Sequence, residues 1–270
     1  MRREAGDDAV LHLPWRPDLV DGLRAETLVL PEYDAPYQAL RAAPDAPLLA
    51  LLAEHPLIRV AVPADLRQRS PLFRDIQTQV TRSFHSQPPH RDHPHRVGDP
   101  RRYNLFWAES ARRNASTYFL PDATAPEVAR WLAEALRGQP DAWEAAAPRI
   151  AAYRDDPRML SRYHVPAAAV GALEALLRDG DPGPWEGLDP LDQLTTLTRA
   201  LGNTPLVTAL LDRLFADLAD TCPGALTQED WSEPCMVLAD DTRLLHGRYG
   251  TAESGLGFYR IWICPPDQTG

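Results

Sequence analysis

Phe84-His85-Ser86-Gln87-Pro88-Pro89-His90-Arg91-Asp92-His93-Pro94-His95 gathers four of the eight histidines of the chain into one short stretch. In an extended segment, residues two apart point to one face. His90 and Asp92 therefore present an imidazole and a carboxylate to one point, two ligands from one strand. His93, directly after Asp92, points to the opposite face, and His85 reads as a pocket or surface residue. A third histidine, His246, stands beside a strand-like run 156 residues after His90. Two histidines and one carboxylate make a facial triad, which leaves adjacent positions open on Fe(II) for a chelating cosubstrate and oxygen. Histidines of this kind also serve zinc hydrolases, and surface or turn positions are the alternative to any metal role.

Outward from this cluster the hydrophobic pattern changes period twice. Leu57-Ile58-Arg59-Val60-Ala61-Val62 predicts a strand closed by Pro63, whereas Tyr37, Leu40, Leu48, Leu49, Leu51 and Leu52 with intervening alanines predict one or two short helices. Tyr103-Asn104-Leu105-Phe106-Trp107 and Ser116-Thr117-Tyr118-Phe119-Leu120 are aromatic and β-prone, and the turn-like Ala111-Arg112-Arg113-Asn114 between them predicts a β-hairpin. Val128, Trp131, Leu132, Ala135 and Leu136 recur at helical spacing from Pro126 onward, with Gly138 placed to end the helix. The same period returns over Val165 to Leu177 and Leu206 to Leu218, on either side of a loop rich in Pro and Gly from Asp179 to Pro190. The last strands are predicted at 235–239, 242–246 and 257–264. This order gives a mainly β chain with helices, of the α+β class: one domain over 1–270, with a mostly helical insertion at about 121–205.

Composition narrows the function. At 270 residues, 44% hydrophobic and 24% charged, the chain can bury a core and is not disordered. Its longest nearly apolar stretch, from Pro47 to Val62, is broken by Glu54, His55 and Arg59, short of the roughly 20 residues of a membrane span. Met1 to Asp8 is followed by no apolar h-region, so a cytoplasmic protein with no membrane partner is expected. A net charge of −10 repels a phosphate backbone, which argues against nucleic acid and for a small-molecule partner. Cys222, Cys235 and Cys264 have no CxxC spacing and read as buried thiols. All 28 basic residues are arginine, which excludes Schiff-base and P-loop lysine chemistry.

Four further spacings resemble the taurine dioxygenase and clavaminate synthase-like family of Fe(II)/2-oxoglutarate oxygenases, over roughly residues 80–120 and 205–264. Leu238-Ala239-Asp240-Asp241-Thr242-Arg243-Leu244-Leu245-His246-Gly247-Arg248 is similar to that family's strand ending in Asp-Asn…His-x-Arg. Arg260 lies 14 residues after His246, where the family places the arginine for the C5 carboxylate of 2-oxoglutarate. Thr117 lies 27 residues after His90, in a segment similar to the family's Gly-Gly-x-Thr, and the helix from Leu206 to Leu218 fits the family layout. Three positions depart from the pattern: Asp241 stands for Asn, Asn114-Ala115 for the glycine pair, and Glu233-Pro234-Cys235 for Gly-Asp.

The resemblance implies a double-stranded β-helix, or jelly roll, with surrounding helices and the insertion over the mouth of the site. It implies Fe(II) on His90, Asp92 and His246, and 2-oxoglutarate held at its distal carboxylate by Arg260 and Thr117. Arg248 is a rival for the first of those roles and Ser116 for the second. O2 takes the remaining position. The presence of Asp92 favours hydroxylation over halogenation, while desaturation, cyclisation and epoxidation use the same ligands. The mixed polarity of the candidate pocket residues suggests a small polar substrate: an amino acid, an amine or a secondary-metabolite intermediate, free or carrier-bound. Phe84, Gln87, Asn104, Phe106 and Glu109 are candidates to line its pocket, and Trp107, Tyr118 and Trp262 read as core. A zinc-dependent hydrolase and a non-catalytic jelly-roll binding protein are the alternative classes. The sequence does not set an oligomeric state.

Overall fold

Backbone pairing sorts the strands into two sheets in the computed structural model, which describes residues 10–29, 36–74, 76, 86–92, 101–109, 115–202, 204–229, 231–250 and 258–266. The strands are β1 (Leu11–Pro14), β2 (Leu23–Leu28), β3 (Tyr37–Ala42), β4 (Leu57–Ala61), β5 (Gln87–His90), β6 (Tyr103–Ala108), β7 (Ala115–Pro121), β8 (Thr227–Glu229), β9 (Cys235–Asp240), β10 (Leu244–Gly250) and β11 (Phe258–Cys264). A larger sheet runs β1-β4-β9-β6-β11-β3-β2, and a smaller one runs β5-β10-β7-β8. β1 pairs with β4, and β3 with β11, in parallel; the other pairs are antiparallel.

The helices are α1 (Pro47–Glu54), α2 (Leu66–Arg69), α3 (Pro71–Arg74), α4 (Ala125–Leu136), α5 (Pro140–Asp155), α6 (Pro157–Tyr163), α7 (Ala167–Glu174), α8 (Gly183–Glu186), α9 (Pro190–Leu201) and α10 (Pro205–Thr221). The stripe Val128, Leu132 and Leu136 of α4 and the stripe Leu210, Leu211, Leu214 and Leu218 of α10 are buried in one cluster. That cluster includes Tyr118, Leu120 and Leu245 from the smaller sheet, so α4 and α10 pack against that sheet's outer face. On the larger sheet, Leu105 and Trp107 of β6, Met236 and Leu238 of β9, and Ile261 and Ile263 of β11 bury against Leu48, Leu52, Leu66 and Phe73 of α1 to α3. Each such side chain contributes about 1.5–3 kcal/mol when fully buried.

Between the sheets lies the remaining layer. Phe106, Phe119, Cys235, Val237, Ala239 and Leu244 fill one part of it with carbon. Arg59 donates from Nε to Glu229 Oε2 at 2.9 Å, an ion pair linking β4 to β8 across this layer. Cys235 and Cys264 are buried free thiols and Cys222 is half-buried. No helix among the described residues is long and apolar enough to cross a membrane.

Two expectations are corrected. Tyr37 to Ala42 is a strand, not a helix: Leu40 and Ala42 face the helical layer while Ala39 faces the other way, an alternation that the alanines hide in the sequence. Tyr103–Ala108 and Ala115–Pro121 form no hairpin, because β6 belongs to the larger sheet and β7 to the smaller. The segment Ala111 to Asn114 lies outside the described residues, as do Phe84, His85, His93 and His95.

Candidate metal centre

His90 ends β5 and His246 lies opposite it on β10, so two imidazoles start from adjacent backbones. Their ring centroids are 4.7 Å apart. β5 is an edge strand, which tolerates the missing N–H groups of Pro88 and Pro89. His246 faces His90 but Arg248 faces Gln87, so the prolines carry a bulge that brings His90 into register. Asp92 lies past the end of β5 rather than within it, which corrects the picture of two ligands from one strand. Its place is fixed instead by its backbone N–H, which donates to Asp241 Oδ2 at 3.1 Å.

The three ligand atoms lie within 4.8 Å of one another and all three residues are buried. His246 Nε2 is 3.3 Å from Asp92 Oδ2, and His90 Nε2 is 3.9 Å from Asp92 Oδ1. Neighbouring ligands of an ion bonded at about 2.1 Å are separated by about 3 Å, so the cluster fits one divalent cation with little adjustment. The other nitrogens are already engaged. His90 Nδ1 lies 2.9 Å from Pro88 O and His246 Nδ1 lies 3.2 Å from Asp241 Oδ1, contacts that place the Nδ1 protons there and turn both Nε2 atoms toward the site.

Charge is divided unequally in this cluster. Burial holds His90 well below its ordinary value, so it is a neutral ligand at once. Burial also opposes a proton on His246, but Asp92 and Asp241 outweigh it and push its pKa up to about 9. Burial works against the charge of Asp92 as well, yet Arg260, His246 and His90 hold its carboxyl well below the usual range. Asp241 is raised by burial and by the neighbouring charge of Asp92.

The residues around the triad occupy defined places. Arg260 Nη1 donates to Asp92 Oδ1 at 2.9 Å. Thr117 lies opposite Arg248 on the adjacent strand, and its Oγ1 accepts from the Trp231 indole N–H at 3.0 Å, which leaves its own proton for another acceptor. Phe106 packs edge-on to His246 with centroids 5.5 Å apart. Glu109 is elsewhere: it pairs with Arg67 at 2.9 Å and accepts from the Tyr259 hydroxyl at 2.9 Å, which corrects its expected place in the pocket. Trp107 and Tyr118 are core on the outer faces of the two sheets, and Trp262 is buried beside Tyr37.

Three supports were not found by sequence reasoning. Arg91 donates from Nη2 to Thr242 O at 2.7 Å and pairs with Asp122, clamping the turn before β10. Asp240 accepts from the backbone N–H and hydroxyl of Thr242 at 2.9 and 2.6 Å, shaping that turn. Trp231 is buried with φ of 50°, a left-handed conformation unusual for a non-glycine residue. Only its long-range contact marks it; its sequence neighbours carry no signal.

A separate cavity of about 360 Å³ lies among the helices, lined by residues that include Arg130, Trp185 and Gln193 and by none of the triad.

No family model matches the sequence, and no curated protein matches it. Among solved structures the chain is similar to the PvcB protein from Pseudomonas aeruginosa, at 15% identity and a TM-score of 0.32 over 90% of this chain and 92% of that one. A candidate alpha-ketoglutarate dependent 2,4-D dioxygenase from Burkholderia xenovorans is similar at 18% identity and a TM-score of 0.36, over 89% and 96% of the two chains. A further structure of PvcB, described as an Fe, alpha-ketoglutarate dependent oxygenase from an isonitrile synthetic pathway, is similar at 13% identity and a TM-score of 0.32, over 90% and 92%. Likenesses this distant assign nothing to the chain, and its function is argued from the chemistry of its own residues.

Proposed function

We propose that the chain is an Fe(II)- and 2-oxoglutarate-dependent oxygenase that oxidises, most simply by hydroxylation, a C–H bond of a small polar substrate. The observation that carries this reading is the convergence of His90, Asp92 and His246, two imidazole nitrogens and one carboxylate within 4.8 Å, with both Nδ1 atoms engaged elsewhere. Two neutral nitrogens and one carboxylate suit Fe(II) and leave part of its coordination sphere open. The passage of the chain between the two sheets from β5 onward supports a double-stranded β-helix as the scaffold of a single domain over residues 1–270.

Bound there, Fe(II) supplies the redox chemistry that couples O2 and the decarboxylation of 2-oxoglutarate to succinate with oxidation of the substrate. The protein holds and orients. His246 gives up its Nε2 proton to become a ligand and keeps its Nδ1 proton on Asp241, which fixes the ring. Asp92 would hold the metal together with His90 and His246, and the Arg260 guanidinium, which donates to Asp92 in this structure, would offer the distal carboxylate of 2-oxoglutarate a planar and bidentate match. The Thr117 hydroxyl, oriented by Trp231, donates to the same carboxylate. Arg248, beside Thr117, supports it. Phe106 covers His246 and keeps water from that side of the site.

The test is anaerobic addition of Fe(II) and 2-oxoglutarate to metal-free protein, observed in the visible region. A charge-transfer band that appears in the wild type and is lost in His246→Ala is the expected result. Tight zinc binding without any band under saturating 2-oxoglutarate overturns the reading in favour of a hydrolase.

A further inference from the structure

Asn104 sits at full burial on β6, and neither its Oδ1 nor its Nδ2 meets a hydrogen-bond partner among the described residues. Asparagine is disfavoured in strands, and a buried amide without partners is costly to keep. Tyr103, Leu105 and Trp107 point to the helical layer, so Asn104 shares the opposite face with Phe106, the residue packed on His246. Across the strands it pairs with Ala239, two residues before Asp241, and with Trp262, two residues after Arg260. Its side chain therefore faces the same inter-sheet layer as the triad.

The chemistry of the amide limits what can meet it. Nδ2 donates and Oδ1 accepts. 2-Oxoglutarate and any other carboxylate offer acceptors only and leave Oδ1 unmet. An ammonium meets Oδ1 but leaves Nδ2 unmet, and it is repelled by Arg101 and Arg260, whose guanidiniums lie 4.9 and 5.2 Å from the Trp262 ring. A neutral primary carboxamide, with one N–H on the same side as its C=O, satisfies both atoms with two parallel hydrogen bonds, whereas the N–H and C=O of a trans peptide point opposite ways. We propose that Asn104 is a specificity-determining residue that receives a primary carboxamide of the substrate. This inference rests on the oxygenase reading.

The test uses protein labelled with ¹⁵N at its three asparagines, loaded with Zn(II) in place of Fe(II) and with 2-oxoglutarate. Acetamide, acetate and methylammonium are titrated in turn, and the Asn104 side-chain signal is assigned by its absence from Asn104→Leu. A saturable shift with acetamide and none with the two ions is expected. No shift with acetamide overturns the proposal, as does a shift produced by 2-oxoglutarate alone that acetamide does not change. Asn104→Leu serves as the second arm. It is expected to keep the Fe(II)/2-oxoglutarate band and to raise the Tm of the metal-free protein, because it removes an unpaired polar group. A band lost only in this variant assigns Asn104 to the cosubstrate, and a lowered Tm reveals a protein partner for the amide; either result defeats the proposal. A band absent from the wild type defeats the oxygenase reading itself, and is read first.

Discussion

On the outer face of the smaller sheet, Tyr118, Leu120 and Leu245 lie under helices α4 and α10. On the inner face of the same two strands stand Thr117, His246 and Arg248, with His90 beside them. One face is matched to apolar neighbours all along its length. The other carries imidazoles, a hydroxyl and a guanidinium that bury well only when each has a partner. Period-two alternation lets one stretch of chain do both, so stability and chemistry are separable by a single step along the strand.

The sharpest break between the faces sets His246→Ala against Leu132→Ala. The first is expected to abolish the Fe(II)/2-oxoglutarate band while the protein stays folded. The second, in the helical layer, should cost about 2–5 kcal/mol in urea unfolding and leave the band intact. If both variants lost both properties, the faces would not be independent.

Gly247→Ala tests where the faces meet. A Cβ at 247 would lie 2.3 Å from the Tyr118 hydroxyl and 2.8 Å from Gln87 O, and the hydroxyl itself donates to Gln87 O at 2.6 Å. The methyl should destabilise by about 1–3 kcal/mol through overpacking and weaken metal binding with it, seen by unfolding and metal titration of one sample. Unchanged values for both would show that the sheet yields there.

A smaller effect belongs to Asp241→Asn. Both groups that Asp241 meets, His246 Nδ1–H and the Asp92 backbone N–H, are donors. Asparagine has one acceptor oxygen and turns an NH2 toward the other donor. Metal affinity should fall about 10- to 100-fold, the usual scale for losing such support of a ligand. Arg260→Ala should raise the 2-oxoglutarate requirement about tenfold or more, the scale of losing a charge-assisted hydrogen bond, and Arg248→Ala less. The opposite order would give the carboxylate to Arg248.

The mildest test is pH. His246 is raised from 6.5 to about 9 in the metal-free protein, so below pH 9 a proton competes with metal for it. Metal affinity should rise with pH up to about 9, at most about tenfold per unit from this one group, and then level off. For stability the sign is opposite. The raised pKa contributes stability that is fully present below 6.5 and lost as pH rises through 9, so the Tm of the metal-free protein should fall across that window. A flat profile in both measurements would remove His246 from the charged pair.

The sequence made the triad legible because His90, Asp92 and His246 carry chemistry in their identity, and the cluster they form needs only that the strands converge. The long helices were legible for a similar reason, since the stripes of α4 and α10 follow from spacing alone. β3 was not, because alanine fits either period. The hairpin expectation failed because nearness in sequence favours pairing of β6 with β7, while the sheet each strand joins is set by partners far along the chain, β9 and β11 for β6 and β10 for β7. Trp231 shares that limit: its role is defined by what lies across the sheets, and nothing in its neighbours announces it.

The close approach of Tyr118 to Gly247 also bears on how this chain can change. With tyrosine at 118, any side chain at 247 meets that residue first; with a small residue at 118, that contact goes and only the 2.8 Å approach to Gln87 O remains. The two positions are therefore epistatic. Alanine at 247 should add less harm after Tyr118→Ala than in the native background, so a variant library that samples position 247 alone will misread a partly conditional restriction as an absolute one.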